Sequence, residues 1–599
     1  MVRKDKKQAS PAEPVVRARI WLLAAAFFLL GTAAIPGAAS PFRAPKDVLG
    51  VTAILLVAGL SMVAALARGR LALRWSPVAL TLVALPVLQA ASASWAASPR
   101  LAVASSLHSA VWVLGALWIA TTSAAEQRRL VLATAAGTAA SSLVLLLQAA
   151  GWSGLGFDGR GGDDRLVLSG LTGNPADLAM AAALVLPLVL ADIGEARRRW
   201  LHWALAAVLS LAVVVSQTLT GLAALALVWG VWLIRRRSRR LWIGAAVAVL
   251  VAAAAGLATG LDDRLQRQLW RLEHGDWYFL LSARSDGWTA AAEMVRSRPV
   301  AGVGAGNFSY VYYPSRVAWV ERTGIPGNRS ELATHFDLAH CDPLQMVAEL
   351  GVPGVLWMAV LAVVLVRYRP RGDPLPALAA AAFVPFAALH FPTHLAVGLV
   401  PLVLVLGRLL AAGDEVVLAP KPWPRRLLSA ALAAAVAAGC IWQLQTLTLN
   451  VWRGALEQAL AAADGLEGPA RVQRAAAVEA QILPRLPALP GDQPWLWRLV
   501  GRARILRSDA AGAEAAFRTA MSLWPHEEAE FGLGLALAAE AERIAAAGVD
   551  PGHRRGEAIL HLARVCRTNP ALLELINDPE LRRSVAEIVR GSEAAGESG

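Results

Sequence analysis

Apolar runs of about 20 residues, the length a helix needs to cross a hydrocarbon core ~30 Å thick, recur through the first three quarters of the chain. They lie near residues 20–39, 48–67, 77–95, 101–120, 130–150, 175–193, 201–216, 219–234, 241–261, 344–366, 375–390, 395–410 and 427–446. That gives about thirteen spans. The stretch 201–234 is long for a single crossing and fits two helices with a tight reversal. A large soluble helical core would need charged faces at helical spacing, and these runs lack them. With 56% apolar and only 17% charged residues, the chain departs from the balance of a soluble domain. The fold class expected is all-α: a polytopic membrane helix bundle with a long helical loop outside the membrane and a helical-repeat-like soluble tail.

Basic residues set the orientation. Alternate connections carry Arg68, Arg70 and Arg74; Arg128 and Arg129; Arg197–Arg199; Arg235–Arg237, Arg239 and Arg240; Arg367, Arg369 and Arg371; and Arg408, Lys421, Arg425 and Arg426. The amino-terminal tail adds Arg3, Lys4, Lys6, Lys7, Arg17 and Arg19, whereas the intervening short loops are poorer. By the positive-inside bias, the amino terminus and the basic set are cytoplasmic. This accounts for the net charge of +13. A nucleic-acid surface is the rival reading, but the charges are dispersed among loops, so no nucleic-acid partner is expected. The basic start and apolar run of the amino terminus resemble a signal peptide. They lack a cleavage context and are better explained as a retained first helix. Cys341, Cys440 and Cys566 form no close pair and no metal-ligand spacing.

The organisation that follows is a cytoplasmic basic tail over 1–19, transmembrane helices 1–9 over 20–261, and a long loop over 262–342. Transmembrane helices 10–12 occupy 343–412, a thirteenth occupies 427–446, and a helical region fills 448–599. If 427–446 crosses, the carboxy-terminal region shares the non-cytoplasmic side with the loop; if that helix is re-entrant, the region lies on the cytoplasmic side. Trp497, Gly501, Ala513, Phe517, Ala520 and Pro525 have the large, small and helix-ending spacing of a tetratricopeptide unit. Generic helical hairpins would have the same composition. A looser second unit spans 531–570, and the region suits a scaffold or protein-partner surface.

The long loop holds the residues with most chemistry. Arg284 begins a helical stretch that ends at Pro299, followed by Gly302-Val303-Gly304-Ala305-Gly306-Asn307-Phe308. Such glycines permit a tight backbone path and can present N–H groups to an anion. No Lys-Ser/Thr pair follows them, so a nucleotide P-loop is unsupported. His340 stands where the loop meets the next apolar run. An imidazole there can accept a proton from a sugar hydroxyl near neutral pH, and Arg284 can hold a phosphate through its planar fork. Taken singly, a histidine at His340's position is more often a helix-end or structural residue, and Arg284 is equally a lipid-headgroup anchor.

Three patterns occur in order: Arg284-x-x-x-Trp288; Pro299-x-x-Gly302-x-Gly304-x-Gly306-Asn307-Phe308; and His340-x-x-x-Leu344-Gln345-x-x-x-Glu349-x-Gly351-x-x-Gly354. Together with Gly173-Asn174-Pro175, they resemble the O-antigen ligase and polymerase superfamily over roughly residues 130–410. The resemblance implies a metal-independent glycosyltransferase with no cofactor, in the bacterial cytoplasmic (inner) membrane. It would move a polyprenyl-diphosphate-linked glycan to an acceptor on the outer face, with the long loop and carboxy-terminal region periplasmic. Arg284 and His340 would be catalytic, with Arg165, Arg264 and Asn307 binding substrate. The family's second arginine, in a Ser-Arg pair between paired spans, corresponds to Leu219 here, and Arg165 or Arg264 is its candidate replacement. Cys341 stands where asparagine is more usual. Expected partners are the lipid-linked donor, lipid A core or another glycan or protein acceptor, membrane lipids and a protein on the tail. Ligase activity is the first expectation; a polymerase or a non-catalytic polysaccharide assembly component is the alternative.

Overall fold

The computed structural model of the chain describes residues 12–152, 167–325, 335–419, 421–489 and 493–597. α1 (Ala12–Thr32) and α2 (Arg43–Ile54) are followed, after a π-helical turn, by α3 (Leu60–Ala67). β1 (Leu71–Trp75) leads to α4 (Pro77–Ser92), α5 (Pro99–Ala120), α6 (Ala124–Ala149) and α7 (Pro175–Asp192). The stretch 201–234 divides into α8 (Arg199–Val215) and α9 (Leu219–Arg236), reversing at Gln217 with a φ of 54°. After α10 (Arg239–Ala258), the long loop is itself helical: α11 (Leu261–Glu273), α12 (Trp277–Leu280), α13 (Arg284–Ser297) and α14 (Phe308–Thr323). α15 (Asp342–Arg367), α16 (Leu375–Leu389) and α17 (Ala396–Ala411) complete the bundle. Beyond β2 (Asp414–Leu418) come α18 (Pro422–Asp464), α19 (Gly468–Ile482), α20 (Pro494–Leu506), α21 (Ala510–Leu523), α22 (Glu527–Ala546), α23 (Gly552–Thr568) and α24 (Pro579–Glu597).

Every apolar run of the sequence contains a helix. Among the described residues, seven helical segments have the length and composition to cross a membrane: α2–α3, α5, α6, α7, α9, α15 and α18. Shorter apolar helices are α1, α4, α8, α16 and α17. α7 is the central rod, buried almost throughout its length, while α15 is mostly exposed. The outward side chains of α15 include Val352, Val355, Leu356, Val360, Val363 and Val366, all large and apolar. An exposed stripe of that kind suits hydrocarbon rather than water. The chain is a polytopic membrane protein of the all-α class.

Contacts between distant segments define two faces of the bundle. On one, β1 and β2 pair antiparallel, from Leu71 with Leu418 to Trp75 with Asp414. This ribbon, which apolar periodicity gave no reason to expect, joins two of the arginine-bearing connections. Arg128 pairs with Glu195 at 2.7 Å, joining two more. The opposite face carries the long loop. α18 runs between the faces: the Ser429 hydroxyl donates to the Val63 carbonyl at 3.2 Å near the ribbon. Further along, the Asn450 carbonyl accepts from the Ala39 N–H at 3.0 Å in the α1–α2 loop. Its 43 residues make a rod of about 65 Å, enough to cross and continue into the tail.

The tail packs against the long loop, at the end of α18 away from the ribbon. α13 and α14 share one apolar core with α21–α24, including Met294, Phe308, Tyr312, Phe517, Leu533 and Leu562. The Tyr313 hydroxyl donates to Glu530 at 2.5 Å across this interface. Within the tail, Phe517 fits over Gly501 and Gly532, where an added Cβ would lie 2.7 and 2.4 Å from its ring. The large-over-small spacing thus packs α20, α21 and α22 together.

Candidate active site at the loop face

The glycine-rich run is a strap that sits in a break of α15. Gly351 has φ 58° and ψ −139°, which interrupts the helix two residues before Pro353. Such a break frees carbonyls of the preceding turn, which need partners if buried. The strap supplies them: the Val303 N–H donates to Ala348 O at 3.0 Å and the Gly304 N–H to Glu349 O at 2.8 Å. The Val352 N–H returns a bond to Val300 O at 3.0 Å. A Cβ at Gly302 would lie 2.3 Å from Glu349 O, and one at Gly351 2.3 Å from Val300 O, so only glycine admits this approach. The anion that the run holds is internal. Glu349 accepts from the Gly306 N–H at 2.7 Å and from Gln345 Nε2 at 3.0 Å. The reading of these glycines as an external anion cradle is corrected accordingly, because a buried carboxylate already takes the N–H groups.

Gln345 extends this lock toward His340. Its Oε1 accepts from the Ala339 N–H at 3.0 Å, fixing the backbone just before the histidine. Gly287 of α13 backs against the same Ala339 carbonyl. His340 itself has a φ of 55°, and Ser282 and Ala283, immediately before Arg284, have φ of 54° and 61°. Left-handed backbone at non-glycine residues costs about 1 kcal/mol each and collects at functional sites. These left-handed residues stand at His340 and directly before Arg284, whose charge is felt at His340.

Around His340 the other walls come from the short loops. The Phe391 ring meets the imidazole edge-on at 4.7 Å, and the His390 ring lies 6.1 Å away. Arg43, from the start of α2, lies over the Phe391 ring at 5.2 Å. Its guanidinium binds Asp177 at 3.1 Å while remaining partly exposed. His390 Nε2 lies 3.3 Å from the same carboxylate. The Phe391 N–H donates to His390 Nδ1 at 2.9 Å, which leaves Nε2 as the donor to Asp177. The two histidines differ in kind. His390 has both ring nitrogens engaged, whereas His340 Nδ1 is buried with no hydrogen-bond partner, as are Ser285 Oγ and Trp288 Nε1 of α13.

Electrostatics set the protonation of His340. Burial, and then the positive charges of Arg284 and Arg43, push its pKa down to about 3. The ring is therefore a neutral base at physiological pH, beside two guanidiniums. The two always-charged forks hold the imidazole neutral but weaken it as a base, and a bound phosphate or diphosphate would offset their charge and restore its capacity to take a hydroxyl proton.

Of the residues singled out from sequence, Arg284 and His340 come together. Asn307 does not face open space: it is fully buried, its Oδ1 accepts from the Ser98 N–H at 2.6 Å, and its Nδ2 donates to Ala305 O at 2.9 Å. It ties the strap to the start of α5. Arg264 lies on α11, half-buried. Arg165 lies outside the described residues. Leu219 opens α9 beside the buried Gln217 and Thr218, with no cation in its place. His394 Nδ1 lies 3.2 Å from Asp342 and its Nε2 3.2 Å from Gln345 Nε2. Sequence reasoning missed Arg43, Asp177 and the engaged state of His390. The one available signal was an isolated acid at the start of an apolar run, in Asn174-Pro175-Ala176-Asp177.

Residues 204–359 match the family model described as O-antigen ligase. The match runs from α8 into α15 and includes Arg284, His340 and Glu349; Arg43, Asp177, His390 and the tail lie outside it. No curated protein matches the chain.

Proposed function

We propose, from the premise that residues 204–359 form a domain of the O-antigen ligase superfamily, that this chain transfers a glycan from a polyprenyl-diphosphate carrier to an acceptor hydroxyl. The observation that carries the reading is the unpartnered, neutral His340 between Arg284 and Arg43. The donor's diphosphate lies against the two guanidiniums, and Arg43 takes the role for which Leu219 is unsuited. His340 Nδ1 receives the acceptor's hydroxyl proton as the oxygen bonds to the sugar's anomeric carbon. The bond from that carbon to the diphosphate oxygen breaks, and the carrier leaves with the electron pair. Guanidiniums fixed before the reaction stabilise that departing charge, and this kind of preorganisation is commonly the largest catalytic term. Asp177 and Asn307 act as positioning residues in this scheme.

The basic connections on the opposite face support a cytoplasmic ribbon side and a periplasmic loop and tail, in a bacterial inner membrane. Ligase action on lipid A core or another anchor is the first reading, and polymerase action on a second carrier-linked repeat is the other. The test is transfer by purified protein from a defined carrier-linked glycan to candidate acceptors. A product joined to the anchor supports the ligase, a ladder of lengthened carrier-linked repeats supports the polymerase, and no transfer to either defeats the catalytic reading.

A further inference from the structure

We propose that His335, His526 and Glu527 form a binding site for a divalent transition-metal ion of the zinc class, clamping the tail onto the segment that delivers His340. The three residues come from two distant parts of the chain: His335 from the end of the long loop, the other two from the start of α22. Their ligand atoms lie within 4.8 Å of one another. His335 Nδ1 is 2.7 Å and His526 Nδ1 3.7 Å from the Glu527 carboxylate. Tetrahedral coordination with bonds near 2.1 Å needs ligand atoms about 3.4 Å apart, so side-chain shifts on the order of 1 Å would close the site. Two imidazoles and one carboxylate, with a fourth position open to water, suit zinc, cobalt or nickel better than magnesium or calcium.

The surroundings are built in the way that supports ligating histidines. His335 Nε2 lies 3.1 Å from Ser309 Oγ, and that hydroxyl donates onward to Asp337 at 3.0 Å. The serine lone pair therefore accepts the Nε2 proton and turns Nδ1 inward, the outer-shell arrangement that fixes a metal-ligating tautomer. Without a metal, a proton between His335 and Glu527 occupies the cation's place. Burial lowers the His335 pKa, but the Glu527 charge and hydrogen bond outweigh it and the net shift is upward. His526 stacks on His335 at 4.2 Å, and its Nδ1 accepts from the Glu528 N–H at 3.2 Å, a bond that coordination replaces. Arg498 opposes a cation, but it is drawn aside by Glu528 at 3.6 Å and also favours unprotonated imidazoles.

The site stands one ring-to-ring chain away from the active centre. Tyr312 touches both His335 and Phe336, and Phe336 meets His340 at 5.4 Å. A metal at His335 would fix the five-residue run into His340 from its far end, as Gln345 fixes it from the near end.

The test uses tag-free, full-length protein in detergent, stripped with chelator and titrated with Zn2+ or Mg2+. We expect one equivalent of Zn2+ retained after desalting, a rise of several degrees in Tm, and no response to Mg2+. His526→Ala and Glu527→Gln should lose the equivalent and the Tm response, while Cys566→Ser keeps both. Should a variant fail to fold, the Co2+ spectrum of the unaltered protein decides: intense four- or five-coordinate visible bands support the site, and a weak octahedral spectrum overturns it. Zn2+ retained undiminished by both variants, or no stoichiometric binding at all, also overturns it. These readouts do not depend on glycan transfer.

Discussion

The tail interface and the candidate active centre are both rich in charged and aromatic side chains and both hold buried polar atoms without partners, Trp524 Nε1 and Arg567 Nε among those of the tail, yet their central ionisable groups are met differently. At the interface Glu530 receives the Tyr313 hydroxyl, His561 at 3.0 Å and Arg564 at 3.3 Å, so one buried carboxylate is surrounded by donors. In α20, Arg504 binds Glu479 at 2.7 Å with Arg507 beside it. At the active centre His340 Nδ1, Ser285 Oγ and Trp288 Nε1 lack partners, and the backbone on both sides is left-handed. Buried polar groups without partners are costly in a structure that serves only to fold. The first region meets its central carboxylate from within the protein, and on the proposed function the second leaves His340 Nδ1 for a substrate.

That contrast is tested most directly at Arg284 and His340. Arg284→Ala and His340→Ala should each lower transfer by about 10³-fold while leaving Tm nearly unchanged, measured by product formation and a thermal melt. Arg43→Ala should cost about 10–100-fold, largely as a raised KM for the donor, because its guanidinium also binds Asp177 and is partly exposed. Asp177→Ala tests the opposite class. It strips a buried carboxylate from Arg43 and His390, and a loss of about 3–5 kcal/mol in stability should accompany any loss of activity.

Smaller effects sharpen the comparison. Tyr313→Phe removes one interface hydrogen bond and should cost about 1 kcal/mol, with transfer scarcely altered. The pH profile supplies a subtler separation. Because the His340 pKa lies at about 3, the acid limb of kcat/KM from this group should fall well below pH 5. A limb centred near the ordinary histidine value of 6.5 would place the titrating base elsewhere.

Legibility in the sequence followed the range of the physics. Helices of the membrane bundle were visible because their apolar runs are local, and the reversal at Gln217 because of length alone. The motif from Gly302 to Gly354 was visible as a spacing, but its meaning was not. That Gly306 and Phe308 donate to the Glu349 carboxylate depends on a break in α15 that no local pattern announces. Arg43, Asp177 and His390 were hidden for the same reason: each is a single polar residue in a different short loop. The side of the tail was undecidable from hydropathy, since it turned on whether α18 crosses. Its contacts at Val63 and Ala39 lay it along the bundle between the two faces, and the tail beyond it packs on the loop.

The most direct measurement is a paired assay of donor binding and transfer on Arg284→Ala and His340→Ala, with defined polyprenyl-diphosphate glycan. The account predicts that the arginine variant loses donor affinity and transfer together, while the histidine variant retains the donor and forms almost no product. Transfer by the His340 variant at the unaltered rate, at equal protein level, would contradict it.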